Sequence, residues 1–249
     1  MLYIIGLGLN EKGLSFEGIE AIEKCEKIYL ENYTVSFPYP IEELEKIVNS
    51  QLRLHITATS SAKLLGNKII NANRELVESD KLIKEAKKEN VALLVYGSPL
   101  TATTHITLIQ EAKKQNMKYE IIYNASVLDG VAECGLQLYK FGKITSIPNF
   151  EADSFIEIVK ENQKINAHSL ILVDIGLNFK NAIDRLERLM KREKINVKIV
   201  VCERLGTKEK KIFYGNLNEL KDKEVEAPFC FIIPAKLHFL EEEVLKNFS

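Results

Sequence analysis

Three turns in this sequence carry residue types able to hold a polar ligand. Gly6-Leu7-Gly8-Leu9-Asn10 follows an apolar run, and its glycines let a ligand come close to the backbone. Gly97-Ser98-Pro99-Leu100-Thr101-Ala102-Thr103-Thr104-His105 joins another apolar run to a helical pattern, so hydroxyls and helix-start N–H groups stand ready for an anion. Asn124-Ala125-Ser126-Val127 ends a third run, and Cys134 to Gly142 (CGLQLYKFG) is dense in polar and aromatic groups. Each also has a plain structural reading: a tight turn, a helix cap at Thr101, Thr103 or Thr104, or a turn packed on the core. The first turn departs from the dinucleotide fingerprint G-x-G-x-x-G, whose third glycine position holds Glu11. Glu31 ends the following apolar run, where an acid would meet a ribose.

The elements that must position these turns follow from hydrophobic periodicity. Strand patterns appear at 2–6, 27–31, 91–97, 118–123, 169–176, 197–202 and 229–233, and the apolar runs 91–97 and 169–176 suit strands buried on both faces. Helical spacing predicts helices after Ser15 and over 41–48, 103–115, 128–136, 153–163, 183–190 and 239–247. Two Lys/Glu-rich stretches, 61–72 and 74–89, are also expected to be helical. Alternating strands and helices imply an α/β protein with mostly parallel sheets. The pattern restarts after residue 117, which sets expected domains at 1–117 and 118–249. In α/β sheets ligands sit at the carboxyl ends of strands, so the three turns together mark a ligand cleft without identifying the ligand.

Bulk properties narrow the partners. Lys plus Arg is 34 and Asp plus Glu is 35, a net charge of −1, which gives no reason to expect a basic face for a nucleic acid, though a local patch stays open. No apolar run reaches the ~18 residues of a membrane span, and the start lacks a basic signal region. Cys25, Cys134, Cys202 and Cys230 are scattered, as are His55, His105, His168 and His238, so no metal site is expected. Reduced buried thiols in a cytoplasmic protein account for the cysteines.

The wording of the motifs goes further than their spacing. MLYIIGLGLNEKGLSFEGIEAIEKCEKIYLENYT, YGSPLTATTHITLIQEAKK, NASV, GLQLYKFGKITSIP and IIPAKLHFLEEE resemble segments of the diphthine synthase family, archaeal type, within the tetrapyrrole methylases. The resemblance covers nearly the whole chain. It implies two α/β domains of the tetrapyrrole methylase type with a cofactor cleft between them, and a homodimer. It implies S-adenosyl-L-methionine as cofactor, with Leu9, Ser98, Thr101, Ser126, Val127, Val173, Leu205 and Phe229 (or its neighbour Cys230) at matching binding positions. The family turn reads GDP where this chain has Ser98, which hydrogen-bonds without carrying charge. Either affinity for the cofactor falls, or a neighbour such as Glu31 compensates.

The resemblance also implies a reaction. An S-adenosylmethionine-dependent N-methyltransferase would successively methylate the amino group of 2-(3-amino-3-carboxypropyl)-histidine on translation elongation factor 2, giving diphthine in diphthamide biosynthesis. The attacking amine must be neutral although its free pKa lies above 7. Asp174, Glu203 and His105 are candidate bases, with water as the alternative, and positioning alone supplies much of the rate. Two other readings stay open: a methyltransferase of the same fold acting on a tetrapyrrole or ribosomal RNA, and a nucleotide-binding regulator that uses the GLGLN turn without catalysis. The neutral charge and GLQLYKFG speak against the first.

Overall fold

A computed structural model of the chain describes residues 1–55 and 69–249. Part of the helix expected at 61–72 lies outside them. The described chain forms two compact units, Met1–Val127 and Leu128–Ser249.

The first unit holds five strands: β1 (Leu2–Gly6), β2 (Lys27–Glu31), β3 (Ile70–Ala72), β4 (Val91–Val95) and β5 (Tyr119–Ile122). They lie in the order β3-β2-β4-β1-β5, all parallel. Its helices are α1 (Phe16–Glu23), α2 (Ile41–His55), α3 (Arg74–Glu78), α4 (Lys81–Ala86) and α5 (Ile106–Lys114). The strand period of two sorts the core. Tyr3, Ile5, Ala92 and Leu94 pack with Ile19, Ile22, Leu44 and Val48 of α1 and α2. Leu2, Ile4, Val91, Leu93 and Val95 pack with Val77, Leu82, Ile83, Leu108 and Ile109 on the opposite face. Helices on both faces explain why these strands read as unbroken apolar runs.

The second unit begins in α6 (Val127–Gly130), followed by a 3-10 turn over Val131–Cys134 that ends at Gly135 with φ +85°. Its strands are β6 (Thr145–Ile147), β7 (Ser169–Val173), β8 (Ile199–Glu203), β9 (Lys211–Gly215) and β10 (Phe229–Ile233). Helices α7 (Phe155–Lys164), α8 (Phe179–Arg192), α9 (Leu217–Leu220) and α10 (Phe239–Leu245) complete it. Sheet order is β6-β7-β10-β8-β9. Ile171, Phe231 and Val201 pack with Phe155, Val159, Ile183, Leu186 and Leu189 of α7 and α8.

Several expectations change here. The second sheet is mixed: only β6 and β7 are parallel, while β10 runs antiparallel to β7 and β8, and β9 antiparallel to β8. Residues 70–72 form β3, not helix, and Asn73 then caps α3 through its side chain. The helix expected over 74–89 breaks at Ser79–Asp80. The helix expected from 103 starts at Ile106, because Ala102 sits at φ +55° and the Thr103 hydroxyl donates to Pro99 O at 2.7 Å. A division at 117/118 would detach β5 from β1, its hydrogen-bonded neighbour; the compact units part after Val127.

Candidate active site

In the first sheet β1 and β4 are neighbours, and their chains leave toward opposite faces, α1 packing on one and α5 on the other. A crevice at such a point is where open α/β sheets bind ligands. The two turns that flank it are fastened together. Gly8 N donates to Gly97 O at 3.1 Å and Gly97 N donates to Gly8 O at 2.9 Å. Both glycines take positive φ, +72° and +73°, a conformation that L side chains resist.

Asn124 adds the third turn. Its Nδ2 donates to Gly6 O at 2.9 Å and to Gly13 O at 2.8 Å, and its Oδ1 accepts from Ala125 N at 2.8 Å. A methyl group on Gly6 would meet Gly97 O at 2.7 Å and Asn124 Cβ at 2.8 Å. One on Gly97 would rest 3.7 Å from Ser126 Cα. The three strand-end turns therefore converge on one edge of one sheet. They bring together Leu9, Ser98, Thr101, Ser126 and Val127. Leu9, Ser98 and Ser126 are buried, and Tyr96 Oη donates to Leu9 O at 2.9 Å. Thr101 N donates to Ser98 O at 3.1 Å, closing the GSPLT turn.

The remaining expected positions lie in the second unit. Val173 ends β7, Leu205 follows β8, and Phe229 opens β10 directly opposite Glu203. Because β10 is antiparallel to both neighbours, all three stand at one edge of that sheet. Phe229 and Leu205 are buried, and Phe229 stacks edge-on against Phe179.

The acids have definite partners. Glu31 is buried, but its oxygens accept from Tyr33 N at 2.8 Å, Thr34 N at 2.7 Å and the Thr34 hydroxyl at 2.7 Å. It shapes the loop after β2. Glu203 is buried, with Lys211 Nζ 3.6 Å from Oε2 as an ion pair longer than a hydrogen bond. Asp174 is tied by its backbone N to Ile147 O at 3.0 Å. His105 is buried, and its Nδ1 lies 3.0 Å from Pro99 O.

The GLQLYKFG segment has a structural anchor the sequence did not show. Glu241, fully buried, accepts from Gln137 N at 3.0 Å, from His238 N at 2.7 Å and from the Lys140 ammonium, and lies 3.1 Å from His168 Nε2. Burial alone would raise its pKa; the His238 N–H, Lys140, the Gln137 N–H and His168 hold it down at about 2. His168 Nδ1 accepts from Ala235 N, so Nε2 carries the proton given to Glu241. Burial lowers the pKa of His168 and keeps the ring neutral. The scattered cysteines also meet: Cys202 sits opposite Cys230 across two strands. Hydrogen bonding to Cys134 and Cys230, with burial, pushes the Cys202 thiol well up. Among the described residues no group of His, Cys, Asp and Glu could hold a metal ion.

Comparison with known proteins decides the family. A profile of the tetrapyrrole (corrin/porphyrin) methylases matches residues 1–221. The chain belongs to the tetrapyrrole methylase family. It is a methyltransferase, with the two α/β units of that fold. Among relatives, this tetrapyrrole methylase is 36% identical to the diphthine synthase of Methanococcus aeolicus, over 99% of this chain and 97% of that one. It is 35% identical to the diphthine methyl ester synthase of Saccharomyces cerevisiae, over 100% and 89%. A crystal structure of a diphthine synthase superposes with a TM-score of 0.86 at 30% identity, covering 100% of this chain and 95% of that one.

Proposed function

We propose that this methyltransferase makes diphthine. It transfers methyl groups from S-adenosyl-L-methionine to the amino group of 2-(3-amino-3-carboxypropyl)-histidine on translation elongation factor 2. The observation that carries this reading is full-length likeness to diphthine synthases, joined to convergence of the three turns that family wording marks. In the first unit Leu9, Ser98, Thr101, Ser126 and Val127 form the cofactor-binding set. In the second, Val173, Leu205 and Phe229 do so.

The residue chemistry fits the cofactor. Positive-φ glycines keep the Gly8 and Gly97 turns free of side chains, so a ligand can approach the backbone closely. Ser98, Thr101 and Ser126 offer hydroxyls for its polar groups, and Leu9, Val127, Leu205 and Phe229 offer apolar surface for an adenine. S-adenosylmethionine supplies an electrophilic methyl group on a sulfonium. The chain's part is to hold the amine in line with it, exclude water and dispose of a proton.

A second reading concerns the acceptor atom. Relatives named methyl ester synthases are as similar to this chain as those named diphthine synthases. Transfer to a carboxylate oxygen, after the nitrogen, is the variant to test. We also propose a homodimer in the cytoplasm, where the elongation factor works and where four free buried cysteines persist. No helix among the described residues is long and apolar enough to cross a membrane. Incubation with the factor bearing the unmethylated precursor, followed by peptide mass analysis, tests substrate and acceptor atom together.

A further inference from the structure

Twelve large apolar side chains are exposed among the described residues, and six of them stand at one end of the second sheet, where β6 and β7 begin and β10 finishes. These are Leu138, Tyr139, Ile144, Ile165, Phe239 and Leu240. Single exposed apolar residues are ordinary, whereas a gathered set marks a surface that something covers. The segments that carry them are laced together by hydrogen bonds. His168 N donates to Lys140 O and Gly142 N donates to His168 O, both at 2.9 Å. Lys236 N donates to Asn166 Oδ1 at 2.9 Å, which joins the turn after α7 to the turn after β10.

Four of the six are fixed further by one acid. Leu138 and Tyr139 lie between Gln137 and Lys140, and Phe239 and Leu240 lie between His238 and Glu241. Glu241 accepts from Gln137 N, from the Lys140 ammonium and from His238 N, so a single buried carboxylate fastens both ends of the first pair to the second. Lys140 Nζ also donates to Lys236 O at 3.1 Å. The interior of the unit thus fixes the backbone of residues that themselves face water: Tyr139 is 83% exposed and Phe239 73%. A surface ordered before contact loses little conformational freedom on contact. Two such rings present on the order of 300 Å², the size of the largest apolar patch on a typical monomer.

Charge and place identify the occupant. Exposed Lys164 and Lys236 flank the patch on the side of α7 and β10, and exposed Glu242 and Glu243 flank it on α10. A patch with opposite signs on its two flanks complements itself when turned about a two-fold axis. Doubled in that way, with its other apolar residues and its polar flanks, it approaches the roughly 1,200 Å² at which standard interfaces begin. The patch also lies at the opposite end of β7 and β10 from Val173 and Phe229, a strand length of about 16 Å away. A partner seated there leaves the proposed cofactor edge of this unit open. We propose that this end of the second sheet is the seam against a second copy of the chain, with Tyr139 and Phe239 of each copy packed on the apolar surface of the other. This rests on the homodimer reading given above and names the surface that makes it.

Sedimentation equilibrium of the full chain tests the seam. The parent should weigh twice the 28.4 kDa of one chain. Tyr139→Glu and Phe239→Glu should each weaken self-association at least about 30-fold, the loss expected of a central aromatic anchor. Circular dichroism and S-adenosylhomocysteine affinity should match the parent's, because both side chains face water in the single chain. Phe150→Glu replaces another exposed ring, 65% accessible and beyond the far end of β6, and should leave the dimer intact. Cross-linking of amines to carboxylates in a mixed 14N/15N parent dimer needs no variant. It should join Lys164 or Lys236 of one copy to Glu242 or Glu243 of the other. A dimer that survives both Tyr139→Glu and Phe239→Glu, that falls apart equally with Phe150→Glu, or whose copies cross-link only elsewhere overturns the proposal while the homodimer reading stands. A dimer left intact while Tyr139→Glu and Phe239→Glu lose hold of elongation factor 2 gives the patch to the protein substrate and overturns it too. A parent that sediments as a monomer at tens of micromolar refutes the homodimer reading and the seam with it.

Discussion

Gly8 and Gly97 exchange both of their backbone hydrogen bonds, at 3.1 and 2.9 Å, so the turns after β1 and β4 form one rigid edge. Gly6 is the residue that lets them close. Gly6→Ala would drive a methyl group into Gly97 O and Asn124 Cβ, neither of which is a flexible side-chain end. Overpacking of this kind costs about 1–3 kcal/mol. We expect that loss in urea unfolding, with at least tenfold weaker S-adenosylhomocysteine binding. Gly97→Ala meets only ordinary contacts, so it should cost about 1–2 kcal/mol of left-handed strain. Equal effects on cofactor binding from the two variants would contradict the clamp.

The motif resemblance implies an aspartate where this chain has Ser98, and Glu31 already accepts from Tyr33 N and from Thr34. Ser98→Asp should therefore tighten cofactor binding. A charged hydrogen bond contributes roughly 1.5–3 kcal/mol against about 1 for a neutral one, so the expected gain is about 1 kcal/mol, or several-fold. Calorimetry with S-adenosylhomocysteine reads it. Affinity unchanged by both Ser98→Asp and Ser98→Leu would remove GSPLT from the cofactor site.

Glu241 sets an acid limit to stability. Its folded pKa, about 2, lies below the unfolded value of about 4.3, so its contribution is full above that value. It disappears as pH falls through the folded pKa. The depression corresponds to about 3 kcal/mol near neutrality. Glu241→Gln should lose a comparable amount at pH 7. The gap between parent and variant should close between about pH 5 and pH 2. A constant gap across that range would show that the carboxylate charge is not what holds Gln137, Lys140 and His238.

Much of the first unit was legible because its strands are buried on both faces. LYIIG and VALLV read as strands without any partner in view, and the turns that end them are the ones the structure fastens together through Gly8 and Gly97. The second sheet misled for the same reason: FCFII looks identical whether its neighbours run parallel or antiparallel. The edge strands β3 and β9 were missed because INA and KIFYG are short and largely exposed or half-buried. The helix before Ile109 was placed too early because the Thr103 hydroxyl and the left-handed Ala102 are local events that periodicity does not carry. Asn124 drew notice as a turn residue, but its two carbonyl partners lie more than a hundred residues away, and no spacing rule reaches them. Glu241 likewise meets Gln137, Lys140 and His168 from 73 to 104 residues away.

Purified chain, S-adenosylmethionine and elongation factor 2 carrying the amino-carboxypropyl histidine should together give successive methyl additions, localised by fragmentation mass spectrometry to that histidine's amino group. An unmodified factor, with the methyl donor shown by calorimetry to be bound, would contradict the account.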